Sequence, residues 1–125
     1  MFNADEALRR LTSQCRSANL LSELHAEAQD AIIDAAELGR GDVAGALALY
    51  ALAAALATGV VEGFVGDDSL SGEVARLIEC ASLAMRGLDL SKCIFSNVHV
   101  AEAFIRVKEW APLVRSSCLN VKPTG

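Results

Sequence analysis

Aromatic side chains are scarce in this chain, at 5% of residues, with one Trp and one Tyr. Alternating runs of β-branched and aromatic residues, the mark of half-buried strands, are missing as well, which argues against a sheet. Only two prolines occur, Pro112 and Pro123. Positive charge is sparse and scattered: among the Lys and Arg residues only Arg9 and Arg10 are adjacent, and the formal net charge is −5. A phosphate-backbone binder needs a clustered basic face, so nucleic acid is excluded as a partner. The four cysteines, Cys15, Cys80, Cys93 and Cys118, form no CxxC pair, and the two histidines, His25 and His99, do not complete a zinc ligand set. No metal or cofactor is expected. With no secretory signal at the N-terminus, the cysteines read as reduced, buried thiols of a cytoplasmic protein, with a disulfide or redox role as the alternative.

What the chain does have is aliphatic residues, chiefly Ala and Leu, within a hydrophobic fraction of 53%. Ala is the best helix former and Leu follows closely, so 125 residues of this composition predict one all-helical domain. Small side chains let helices approach closely but bury little area each, so stability demands extensive contact. One run tests this reading. Residues 43–61 carry no charge, long enough for a bilayer span. The run is mostly Ala and Gly, lacks flanking basic residues and an aromatic belt, and sits between Asp42 and Glu62. Burial among neighbouring helices explains it better than stable membrane insertion.

Start and stop signals divide the chain. Asn3 with Glu6 forms a capping-box pattern, opening a first helix along Ala7, Leu8, Leu11 and Cys15. Residues 17–19 read as a break, so 1–19 form an extra N-terminal helix. A second helix runs from Leu20 to Leu38 and ends at Gly39-Arg40-Gly41. Asp42 caps a third, to Val61, antiparallel to the second. Residues 63–72 read as a loop, after which Ser71 or Gly72 opens a fourth helix to Arg86. A short fifth segment, capped by Asp89 or Ser91, reaches Phe95. Ser96 or Asn97 caps a sixth, which Pro112 interrupts, and residues 119–125 form a flexible tail.

Gly41-Asp42-Val43, with Ala46, Tyr50 and Ala53 following, resembles the turn and second helix of a tetratricopeptide repeat. Gly permits the tight turn, Asp caps the new helix, and the alanines let two helices touch. Similar chemistry recurs at Gly87, Asp89-Leu90, Cys93 and Ile94. An ordinary helical hairpin is the competing reading. The fold class is therefore all-α, with five to six helices in tetratricopeptide-like hairpins packed as a small right-handed superhelix or a helical bundle.

Residues 73–87, Glu-Val-Ala-Arg-Leu-Ile-Glu-Cys-Ala-Ser-Leu-Ala-Met-Arg-Gly, resemble the central helix of the needle-subunit chaperones of bacterial type III secretion systems. Lys108-Glu109-Trp110 is similar to a segment of their following helix, and Ile32 to Gly41 to their first. The resemblance spans roughly residues 30–115. It implies a cytoplasmic chaperone, not an enzyme, that masks the amphipathic helix of a polymerising needle subunit in a concave groove. A small helical co-chaperone is implied as a second partner, and homo- or hetero-oligomers fit the same picture. A generic adaptor for another apolar helix is the alternative. In such repeats the first helix of each pair lines the groove, which makes Ala31, Ala35 and Leu38 of helix two, and Val74, Leu77, Ala81 and Ala84 of helix four, the candidate partner-binding residues. Each stripe has a plainer reading as core. Catalysis finds no support in the pattern: His25 and His99 lie in different helices without a partner motif, and the carboxylates read as caps and solvated faces.

Overall fold

The structure is a computed structural model that describes residues 2–39, 41–57 and 68–119. Within them the chain forms five α-helices: α1 Ala4–Ser13, α2 Ala18–Leu38, α3 Val43–Leu56, α4 Asp68–Met85 and α5 Val98–Val114. A π-helical turn, Arg115–Leu119, follows α5 directly. No strand occurs among the described residues. The helices pack as a small bundle in which α3 touches each of α1, α2, α4 and α5. Every residue of α3 from Ala44 to Ala53 is buried. That accounts for its uncharged sequence, since a helix enclosed on all sides has no solvent face to make polar. No described helix is long and apolar enough to cross a membrane.

Local signals set most helix starts. The Asn3 side chain accepts from the Glu6 amide at 3.1 Å, and Asn97 accepts from His99 and Val100 at the start of α5. Ser17 accepts from Leu20, so residues 17–19 are a cap and first turn rather than a break, and α2 begins at Ala18. At the other end of α2, Gly39 sits at φ 64° and donates its amide to Ala35 at 2.8 Å, while Gly41 has φ 111°. Both conformations suit glycine, and together they reverse the chain within four residues. Asp42 then caps α3 by accepting from Gly45 at 2.9 Å.

Elsewhere tertiary structure overrides the local pattern. Helix α4 starts at Asp68, so Ser71 and Gly72 lie inside it, and α3 ends at Leu56 rather than Val61. Residues 58–67, which hold the first half of the expected loop, lie outside the described residues, as do 120–125 of the expected tail. Residues 88–97 are not helical. Asp89 there accepts from the Ser91 amide and hydroxyl, at 3.0 and 2.8 Å, a local turn that competes with helix. These bonds hold its carboxyl below the usual range. Glu73 of α4 reaches across to accept from Ser96 and Asn97, tying α4 to the start of α5. The Ser96 amide foremost among these donors lowers its carboxyl likewise. Pro112 does not interrupt α5; the helix runs on to Val114 and widens into the π turn.

The four cysteines are paired, Cys15 with Cys118 and Cys80 with Cys93, at Cα separations of 5.7 and 6.1 Å. The reading of reduced thiols is corrected here: positions remote in sequence are neighbours in the bundle. Cys15–Cys118 ties the end of α1 to the π turn, and Cys80–Cys93 ties α4 to the segment before α5.

Small residues hold the helices close. Ala46 and Ala53 are each 1% exposed, and a methyl added at Gly45 would lie 2.9 Å from the Ala4 Cβ of α1 and against the Asp42 carboxylate. Ala46→Leu and Ala53→Leu should each cost about 1–3 kcal/mol by overpacking. Gly45→Ala should also lower the melting temperature, although Ala is intrinsically better in a helix by about 1 kcal/mol. Unchanged melts for all three variants would mean that α3 is loosely enclosed. For the disulfides, chain entropy scales with the loop closed. Cys15–Cys118 closes a separation of 103 residues and Cys80–Cys93 one of 13, for which the entropic account gives about 4.7 and about 3 kcal/mol. Melts should therefore fall with reductant, and further for Cys118→Ser than for Cys93→Ser. Insensitivity to reductant would overturn the pairing.

Candidate functional site

A cleft of about 670 Å³ opens between α1 and α2, bordered at one end by the α2–α3 turn. That size is ordinary for a site that receives a ligand or a side-chain cluster. Helical periodicity builds it. On α2, Glu27, Asp30, Ala31, Asp34 and Leu38 recur at three- and four-residue steps and share one face. On α1, Asn3, Glu6, Ala7 and Arg10 do the same from the opposite wall, and Phe2 lies beside them. The floor is apolar, formed by the buried or half-buried Phe2, Ala7 and Ala31, with Leu38, 62% exposed, at its end near the turn.

The rim is acidic. Among the described residues five carboxylates, Glu6, Glu27, Asp30, Asp34 and Asp42, line the cleft with one guanidinium, Arg10. Arg10 pairs with Glu27 at 3.1 Å and approaches Glu23 at 3.7 Å, all three well exposed. Such pairs contribute about 0–1 kcal/mol. Asp42 does two jobs, capping α3 and pairing with Arg106 of α5 at 3.0 Å. A shallower cleft of about 380 Å³ lies beyond it, lined by Val43, Ala44, His99, Glu102, Ile105 and Arg106. Gly41 and Asp42 line both clefts, so the two adjoin at the turn. Ile105, 52% exposed, extends the apolar surface in that direction.

The expected site residues separate. Ala31 and Leu38 line the main cleft. Ala35 is buried beneath the turn, 3.7 Å from where a Gly41 Cβ would stand. Val74, Leu77, Ala81 and Ala84 are all buried in the core, on the helix that packs against α3 and α5. The α4 stripe is covered by the chain's own helices. Of the residues that sequence reasoning missed, Glu27, Asp30 and Asp34 carry a readable signal, since they flank Ala31 at helical spacing. The α1 wall carried none, because nothing local says that α1 lies across α2.

Among the described residues no group of three or more His, Cys, Asp or Glu could hold a metal ion. His25 is buried and stacked on Tyr50, with ring centroids 3.8 Å apart, and burial pushes the Tyr50 phenol up. His99 is exposed at the start of α5. No family model, curated protein or solved structure matches the chain.

The burial of Leu77, at 0% exposed, decides how that position responds to charge. Leu77→Glu should destroy helicity in the isolated chain, because an unpaired carboxylate there has no route to water. Retained helical circular dichroism would show that α4 can turn its stripe outward.

Proposed function

We propose that this chain is a protein-binding module that takes a helix of a partner protein, apolar face inward, into the α1–α2 cleft. The observation that carries the reading is an open cleft whose floor is apolar while its rim is charged. From Glu27 to Leu38 the α2 wall is about 17 Å long, three turns of helix. A docked helix would place anchors at i, i+3 or i+4, and i+7 along it, as in other helix-in-groove complexes. The work is binding rather than catalysis.

The narrower proposal is a chaperone for a polymerising needle subunit of a type III secretion system, with a small co-chaperone as second partner. It rests on the resemblance of residues 73–87, and it takes the cytoplasm as the site of action. The paired cysteines weigh against the cytoplasm, since disulfides persist in oxidising compartments. The broader reading depends on neither.

Two variants at positions that are not fully buried test it. Ala31→Trp fills the floor of the cleft without changing charge, and Leu38→Ser removes an exposed apolar contact. Both should keep native circular dichroism while retention of a partner on the immobilised protein falls by about tenfold or more. Retention equal to that of the parent chain would show that the partner sits elsewhere.

A further inference from the structure

We propose that the helix accepted by the α1–α2 cleft is cationic, carrying Lys or Arg along the edges of its apolar face; this rests on the cleft being a helix-binding site. The argument is a charge balance. Among the described residues the lining holds five carboxylates and one guanidinium, and that guanidinium is already engaged by Glu27. The Asp42 carboxylate is engaged by Arg106. Glu6 on one wall and Asp30 and Asp34 on the other are exposed, and no ion pair joins them to another described residue. Asp30 and Asp34 stand one helical turn apart, where like charges repel, and their repulsion is relieved by a cation placed between them. These three carboxylates flank Ala7 and Ala31 of the floor from both sides.

An incoming helix therefore meets apolar contact at the centre and negative potential at both edges. A neutral or acidic helix would gain the first and be opposed by the second. Complementary charge at a rim acts mainly on encounter rate and on the choice among partners. It also makes binding depend on salt, because charges at the edge of a cleft are screened within a Debye length of about 10 Å at 0.1 M ionic strength. The exposed Glu102 of the adjoining cleft continues the acidic edge around the turn.

The experiment uses labelled synthetic amphipathic helices of about 18 residues, long enough to hold helical structure in part. One carries Leu on one face and Lys on the other, a second Leu and Glu, and a third Ser and Lys. Fluorescence anisotropy against the full chain should show the Leu/Lys helix binding at least about tenfold more tightly than either of the others, and weakening as salt rises. Asp30→Asn with Asp34→Asn should lose about tenfold for the Leu/Lys helix and flatten the salt dependence. Glu79→Gln with Glu109→Gln, the same change in net charge away from the cleft, should leave binding as it was. Equal binding of the Leu/Glu helix, or equal losses in the two double variants, would overturn the cationic partner; if Ala31→Trp still blocks binding, the cleft itself stands. Equal binding of the Ser/Lys helix would show attraction without docking and overturn the proposal. Leu/Lys binding that survives Ala31→Trp, or no binding by any helix, would overturn both the charge preference and the cleft.

Discussion

Helix α3 is the constraint on which the rest of the molecule depends, because a helix without a polar face must be covered on every side. Its residues are mostly Ala and Leu, and Gly45, Ala46 and Ala53 leave little side chain between neighbouring backbones. Close approach compensates in part for the small area each residue buries, since dispersion falls off steeply with separation. Four helices are needed to complete that cover, and their arrangement follows from where the covering must be done. Asp42 stands at the entry to this helix, capping it and reaching Arg106 of α5. The turn that starts the central helix is thus also fixed to the helix lying across it, and both clefts open beside that turn.

How much of this was legible depends on the range of the cause. Caps are local, and Asn3, Asp42 and Asn97 announce themselves through their spacing to the amides they satisfy. The Gly39–Gly41 reversal is equally local. Pro112 misleads because its cost is met by the geometry around it, with α5 continuing into a wider turn. The segment after Gly87 has helix-like apolar spacing, yet the Asp89–Ser91 turn and the Cys80–Cys93 bridge hold it otherwise. Apolar periodicity shows which face of a helix is hydrophobic and not what covers it. The α2 and α4 stripes look alike in sequence. On α4 the positions Val74, Leu77, Ala81 and Ala84 face other helices, whereas on α2 the equivalent row ends at an exposed Leu38. That difference, which separates core from candidate site, is tertiary.

The cysteines bear on the cleft as well as on stability. Helix α1 forms one wall, yet it is short and its contacts are few in kind: Ala4 against Gly45 near its start, and Leu8 and Leu11 in the core. Cys15–Cys118 secures its far end to the π turn. The wall is therefore held near both ends, while Glu6, Ala7 and Arg10 between them face α2. Among the described residues one α1–α2 ion-pair cluster, Arg10 with Glu23 and Glu27, bridges the walls through exposed groups. The covalent tether and the Ala4 contact, rather than that cluster, keep the cleft's width.

A wall held in this way changes what an incoming helix must supply. Ordering two mobile surfaces costs free energy that only the surplus of contact energy can offset. Here α2 is already fixed through its other face, where Leu21, Leu24, Ala28 and Ile32 sit in the core. Ala31 and Leu38 are presented from a helix whose opposite face is packed in the core. The floor is small, which limits the apolar area a partner can bury, and affinity from that source alone would be modest. In the proposed complex, charge at the rim would then be the means of choosing among apolar helices of similar fit to the floor. There a preformed apolar floor would supply adhesion, and the carboxylates of both walls that have no ion pair among the described residues would supply discrimination.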